Sequence, residues 1–483
     1  MSRVLSGLQP AALWQHFEEL NAVPRASKKE ERVIAFIRSF AEGLGLDHTV
    51  DKVGNVIVRK PATAGMEDRK TVVLQSHLDM VHQQNAGTNF NFDTQGIQMY
   101  VDGDWVKAKG TTLGADNGIG VAAIMSILAA TDIPHPPLEA LFTIDEETGM
   151  TGALGLEGGL LKGSILLNLD TEEDTELTIG CAGGLDITAK ATYTAVPASG
   201  SDALKISVKG LTGGHSGGDI HLGRGNANKI MNRVLYEIAK STELEIAFID
   251  GGSLRNAIPR ESAAVIVSKD AAAFTEAFDS IAAQIRNEYL HTDPSISITA
   301  TAAEKPASVL PADFARLLLQ GIYACPNGIY RMSPDIPGLV QSSNNVARVL
   351  VKDGQCSIQC LTRSSVNSEK QDLANAIFAA LGISGAIITA DNGYPGWEPR
   401  PGSEIVSLMS SLYEELFGGK AHVNAVHAGL ECGILGTNYP DMQMISFGPN
   451  ITGAHSPDER VQISSVQKFW KYFLETLKRI PKQ

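Results

Sequence analysis

No window of this 483-residue chain approaches twenty uninterrupted apolar residues, so no membrane-spanning helix is written into it. The opening stretch MSRVLSGLQPAALWQHFEEL has acidic and polar residues where a secretory leader needs a continuous apolar core, and the expectation is a soluble, cytoplasmic protein with no membrane partner. Cysteine is sparse as well. The five cysteines, Cys181, Cys325, Cys356, Cys360 and Cys432, are odd in number and form no CxxC pair, which points away from a disulfide framework or a thiolate zinc site. Runs of lysine and arginine are also missing, and the formal net charge is −14, which argues against nucleic acid as a partner. The same acidity fits a site that gathers carboxylates around cations.

What is present begins with length: 483 residues exceed one ordinary core, so two domains or one domain with a large insertion are expected. SKKEERVIAFIRSFAEGLGL sets Ser27 and Glu30 at capping-box spacing, then Val33, Ile34, Ile37 and Phe40 at helical intervals, and stops at Gly43 and Gly45. Short β-branched or Leu-rich runs follow (NVIVRK, KTVVLQSH, LEALFTID, SILLNLD), alternating with helical stretches such as GIGVAAIMSILAA. That alternation predicts an α/β sheet, mixed and largely parallel, covered by helices. After GCAGGLD the texture turns to strands interleaved with long helices, the pattern of an α+β unit. GGSLRNAIPRESAAVIVS and LVQSSNNVARVLVKDGQCSIQ share an Asn-bearing turn before a strand, which suggests a degenerate internal duplication. The α/β texture resumes after YPGWEPRPGSE. The expected organisation is a first α/β segment over 1–184, an inserted α+β domain over 185–397 and a second α/β segment over 398–483.

Five places in the α/β segments put His, Asp or Glu straight after an apolar run or in a Gly-rich loop: His77 and Asp79, Asp116, Glu146 and Glu147, Asp170, and His455. The carboxyl ends of parallel strands form the ligand-binding face of such sheets, so these groups can converge there. Converging carboxylates repel each other unless a cation sits among them. Two histidines with several carboxylates suit zinc or a similar divalent ion, and a shared Asp would suit two ions about 3.5 to 4 Å apart. Each piece also has a plainer reading. H-x-D can be a strand-end hydrogen bond, GADNGIG a tight turn feeding a helix, and DEE a solvated acidic loop. Their shared position at strand ends of one texture favours the converging site.

SHLDMV, GTTLGADNGIG, DEETGMTGA, LNLDTEE, KGLTGGHSGG, HAGLECG and GPNITGAHSPDERV together resemble the motif series of the dinuclear metallopeptidase family that includes carboxypeptidases, aminoacylases and dipeptidases. The resemblance implies a zinc-peptidase catalytic domain interrupted by an α+β lid. It implies that His77, Asp116 and Asp170 bind one ion while Asp116, Glu147 and His455 bind the other. Two divalent ions are implied, zinc first, with cobalt and manganese accepted by the same donors. Asp79 would hold the His77 imidazole in its tautomer. Glu146 would be the general base that takes a proton from a metal-bridging water and returns it to the leaving amine. His82 falls outside the pattern.

In the inserted domain GGHSGG sets His215 on a glycine-flanked loop, a plain hairpin tip on the bland reading. The resemblance implies instead that His215 polarises the scissile carbonyl, and that Asn256 and Arg363 bind substrate, Arg363 as a fork for the terminal carboxylate. A surface ion pair is the structural alternative for Arg363. HAGLECG adds Gly429 and Glu431 as contacts to the substrate's amino end. The expected activity is hydrolysis of dipeptides with a C-terminal histidine, β-alanyl-histidine among them, by a homodimer whose domains close about junctions near 184 and 397. Rivals are an aminoacylase or tripeptide aminopeptidase of the same chemistry, and a metal-dependent peptide binder without turnover.

Overall fold

The computed structural model describes residues 4–483, which divide into two compact units. The first is the chain through Gly180 with Pro399–Ala425 and Leu430–Gln483; the second is Cys181–Glu398 with Val426–Gly429. The short segment 426–429 thus leaves the last α/β stretch in which the sequence pattern sets it. Hydrogen bonding explains the difference: the Ala182 N–H donates to the carbonyls of Val426 and Ala428, and His427 Nε2 lies 2.7 Å from Ser343 Oγ.

In the first unit four strands, Leu138–Thr143, Val72–His77, Ile165–Asn168 and Gln443–Ser446, lie parallel in that order at the centre of an eight-stranded sheet. Val56–Lys60 and Asp47–Val50 extend one side antiparallel, and Glu176–Cys181 and His422–Val426 complete the other. Val72–His77, Leu138–Thr143 and Ile165–Asn168 are buried over their whole lengths, as strands covered on both faces must be, which is why they read as continuous apolar runs. One covering helix, Ala115–Ala129, buries nearly every residue, and its small side chains suit that depth. Another, Ile463–Arg479, turns Val466, Phe469, Phe473 and Leu477 inward. Because His77 pairs with Thr143 and Gln75 with Asn168, the residues just past these strands leave the sheet at one edge.

The helix foreseen after SKKEER is present as Glu31–Gly43, but its start is not a capping box. The Ser27 hydroxyl donates to Asp79 at 2.8 Å, and Glu30 accepts the N–H groups of Lys28 and Asp145. A buried carboxylate elsewhere in the fold outcompetes the local cap. No helix among the described residues is long and apolar enough to cross a membrane.

The second unit holds a nine-stranded sheet whose mapped pairings are all antiparallel. Its main strands follow one order of elements twice. Asp202–Lys209, helix Ala227–Ser241, Leu244–Gly251, Ser262–Ser268, helix Ala271–Glu288 and Ser297–Ala302 form one run of strand, helix, strand, strand, helix, strand. Gly183–Thr192, helix Ala312–Ala324, Val340–Lys352, Gln355–Ser364, helix Asn367–Gly382 and Ile387–Tyr394 form the other, with the first run inserted after its opening strand. In the sheet the two runs mirror each other about the pairing of Leu244–Gly251 with Val340–Lys352. The Asn-bearing turns compared in the sequence are not equivalent: Asn256 precedes a strand, whereas Asn344 and Asn345 are buried inside Val340–Lys352. One apolar core, including Ile206, Leu235, Ile266, Leu318, Ile358 and Ile377, joins both runs.

Candidate active site

At one edge of the first unit's sheet, side chains from five separate segments meet. Asp116 directs one oxygen to each of two histidines, Oδ1 to His77 Nε2 at 3.2 Å and Oδ2 to His455 Nε2 at 3.2 Å. His77 Nε2 also lies 3.4 Å from Asp170, and His455 Nε2 lies 3.0 Å from Glu147. Two donor sets result, His77 with Asp116 and Asp170, and Asp116 with Glu147 and His455; within each, the ligand atoms lie within 4.8 Å of one another. Glu146 joins His77 and Glu147 in a third such group. His82 stays outside, exposed, with its ring edge on Phe92.

The local backbone is bent to present these groups. Gly114, at φ 71°, turns the chain into the helix at Ala115, a conformation that favours glycine. Asp145 and His455 also hold positive φ, 51° and 63°. Asp79 ties the cluster from below: Oδ1 accepts the Glu146 N–H at 3.0 Å and lies 3.3 Å from His77 Nδ1, whose second neighbour is the Asp79 carbonyl at 3.1 Å. With Nδ1 facing those two acceptors, one ring hydrogen belongs there, and Nε2 is the nitrogen turned to Asp116 and Asp170.

The electrostatics are those of too much negative charge in too little water. Burial opposes a charge on His77, yet Asp170, Asp116 and Asp79 raise its pKa well above the usual range. Hydrogen bonds to Asp116 and Glu147 push His455 up to about 11. Burial lifts Asp170 to about 6 and, with Asp170, Glu431 and Glu147 adding to it, lifts Glu146 well above the usual carboxylate range. Burial works the same way on Asp116, but the two histidines outweigh it and leave that carboxyl low. Glu147 Oε1 is buried with no hydrogen-bond partner. An oxygen-and-imidazole set with an orphaned carboxylate oxygen, and a central Asp facing both ways, fits a pair of divalent cations.

Supporting residues escape a reading based on motifs. Both oxygens of the buried Glu459 are spent on consecutive backbone amides, those of Leu113, Gly114, Ala115 and Asp116, at 2.7, 2.9, 2.7 and 3.2 Å. Glu459 lies four residues past His455, so one carboxylate joins the two segments that carry Asp116 and His455. The buried Arg25 guanidinium donates to the carbonyls of Leu78, Asp79 and Gly114. The only sequence hint of Glu459 is its place in HSPDER; Arg25 gives none. Glu431, expected at the substrate's amino end, has no exposed surface, and its Oε2 accepts from Gln75 and Thr143 at 2.7 and 2.6 Å. Its Oε1 is buried without a hydrogen-bond partner, and burial pushes its pKa up to about 7.

In the second unit His215, Arg363 and the loop of Asn256 come together, and Gly429 belongs to the same unit. The His215 loop and the Asn256 loop are zipped by the pairing of His215 with Ala257 and by the Ser216 N–H on the Asn256 carbonyl at 2.8 Å. His215 Nδ1 accepts the amides of Gly217 and Gly218 at 3.2 and 2.9 Å, which sets the neutral ring's hydrogen on Nε2. Burial, then the charge of Arg363, lowers the His215 pKa and keeps the ring neutral. Arg363 is 5% exposed and forms no ion pair with a carboxylate among the described residues; its Nε has no partner at all. A buried guanidinium without a counter-charge is costly unless an anion arrives.

Peptidase family M20/M25/M40 matches residues 73–479, and the chain belongs to this family of peptide hydrolases. Among its relatives, the cytosol non-specific dipeptidase of Escherichia coli (strain K12) is 43% identical over 99% of both chains. The crystal structure of an aminoacylhistidine dipeptidase from Vibrio alginolyticus superimposes with a TM-score of 0.95 at 42% identity, covering 99% of this chain and 98% of that one. An aminopeptidase, PepT, from Bacillus cereus shares the fold alone, with a TM-score of 0.58 at 15% identity over 98% of this chain and 99% of its own.

Proposed function

We propose that this chain is a cytoplasmic, dinuclear metal-dependent dipeptidase that cleaves dipeptides with a C-terminal histidine, β-alanyl-histidine included. The observation that carries the reading is Asp116, one oxygen on each of two histidines, with a further carboxylate completing each donor set. His77, Asp116 and Asp170 would hold one ion and Asp116, Glu147 and His455 the other, zinc first among the ions such donors accept. When bound, the ions supply polarisation of the scissile carbonyl and acidification of the attacking water.

This chain's own groups do the rest. Glu146, a carboxylate whose buried setting favours proton uptake, takes the proton from the attacking water and delivers it to the leaving amine. Asp79 keeps the His77 hydrogen on Nδ1. His215 donates through Nε2 to the carbonyl oxygen as it gains charge. Arg363, lacking a counter-charge, receives the terminal carboxylate, and Asn256 and Gly429 line the substrate's path. The names of the two full-length relatives support a dipeptide substrate, one specifying aminoacylhistidine and the other a non-specific dipeptidase of the cytosol. The net charge of −14 supports a peptide over a nucleic-acid partner.

The test is hydrolysis of free and N-acetylated dipeptides, with and without C-terminal histidine, by metal-reconstituted wild type and Glu146→Ala. Free histidine-ended dipeptides are expected to turn over, and Glu146→Ala to lose about 10³-fold or more in kcat with its metal retained. A mutant as fast as wild type would remove Glu146 from the mechanism; turnover of acetylated substrates alone would replace the reading with an aminoacylase.

A further inference from the structure

Three neighbouring strands of the second unit put Arg363, Gly184 and Tyr394 in one row. Arg363 pairs with Gly184 on one side, and Gly184 pairs with Tyr394 on the other. Arg363 and Tyr394 are therefore two strand spacings apart, roughly 10 Å between backbones. Only a missing side chain between them lets them touch. A Cβ at Gly184 would lie 2.5 Å from the Tyr394 ring and 2.8 Å from its hydroxyl oxygen, so the phenol lies flat across this glycine. From there its oxygen accepts Arg363 Nη1–H at 3.1 Å. The Tyr394 backbone is pinned as well, its carbonyl accepting from the Lys370 ammonium.

The bonds on this row leave hydrogens unspent. The Tyr394 oxygen accepts from Arg363, and its own hydrogen finds no acceptor among the described residues. Arg363 Nε is likewise unpartnered, and Nη2 faces His215 Nε2 at 3.5 Å, where both atoms are donors. Several donors and a buried positive charge thus surround a place with no acceptor, which is the chemistry of a carboxylate site.

We infer that Tyr394 is a substrate-binding residue that determines specificity: its hydroxyl holds Arg363 in position and turns its own hydrogen to the terminal carboxylate of the dipeptide. The inference rests on the assignment of Arg363 to that carboxylate and goes beyond it. Gly184 is the condition for it, since any side chain there would occupy the space of the phenol.

The experiment uses the full-length, metal-reconstituted protein with L-alanyl-L-histidine and its C-terminal amide, the amide followed as a substrate or as a competitive inhibitor. Tyr394→Phe removes one oxygen and keeps the ring. It is expected to raise KM for the free acid about tenfold, with most of the effect in KM rather than kcat, and to leave the amide's KM or Ki unchanged. Arg363→Met is run beside it and is expected to abolish the preference for acid over amide. If Arg363→Met does so while Tyr394→Phe keeps the wild-type KM, the Tyr394 inference falls and the assignment of Arg363 stands. Equal weakening of acid and amide by Tyr394→Phe also overturns the inference, since that marks a general disturbance. If Arg363→Met keeps the preference, the assignment beneath both falls.

Discussion

The two units of this molecule carry opposite electrical problems. In the first, Asp116, Glu146, Glu147 and Asp170 crowd around two imidazoles, and one Glu147 oxygen is left without a partner. In the second, the Arg363 guanidinium is buried with no carboxylate paired to it among the described residues. Parallel strands explain the first: they end together, so every loop leaving them can add an acid to one place. In the antiparallel sheet of the second unit the polar groups lie in a cross-strand row at the ends of three neighbouring strands and in a zipped loop. On the proposed reading cations would complete the first arrangement and a substrate's carboxylate the second. A hydrolase for small peptides needs both, because the substrate brings a carboxylate and the reaction needs an electrophile.

The sharpest way to break this division is His215→Ala. It should cost about 10²- to 10³-fold in kcat while metal stoichiometry, measured by elemental analysis, stays at the wild-type value. Loss of metal from that variant would end the separation of roles between the units. Glu459→Gln should do the reverse. It puts an amide NH2 where four backbone N–H groups need an acceptor, so metal titration of the metal-free protein should show affinity weakened about ten- to a hundredfold. Unchanged affinity would reduce Glu459 to a helix-end contact.

The smallest effect concerns stability. Burial, with Arg363 and His215 adding to it, pushes the His427 pKa down to about 3. In the unfolded chain this histidine takes up a proton below its ordinary pKa of about 6.5, whereas the folded protein does not. Its contribution to stability is therefore complete above pH 6.5 and is lost as pH falls towards 3, at a slope of about 1.4 kcal/mol per pH unit. Denaturant unfolding between pH 4 and pH 7 should show this slope lessened in His427→Asn. An identical slope in the variant would mean that His427 is no seat of this pH dependence.

The acids and histidines at the strand ends were legible because the pattern that makes a buried parallel strand also marks where it stops. His77 ends such a strand, and Asp79, Glu146, Glu147 and Asp170 each follow one within four residues. The supports were not legible. Ser27 sits three residues before Glu30, a spacing that reads as a cap, and only the approach of Asp79 gives its hydroxyl a better acceptor. Glu431 resembles a loop acid beside glycines, and nothing local announces that Gln75 and Thr143 will enclose it.

By itself the sequence pointed to the α/β class, to a change of texture in the middle of the chain and to a collection of acids and histidines near strand ends, since periodicity and residue chemistry are local properties; which of them would hold cations came from the family resemblance. Tertiary structure alone decided which groups share a hydrogen bond or a strand row: Glu459 against residues 113–116, Tyr394 across Gly184 to Arg363, and 426–429 with the second unit. The physical reason is distance along the chain. Glu459 is 343 residues from Asp116 and 346 from Leu113, and no local propensity encodes which distant backbone a carboxylate will meet when the sheet closes.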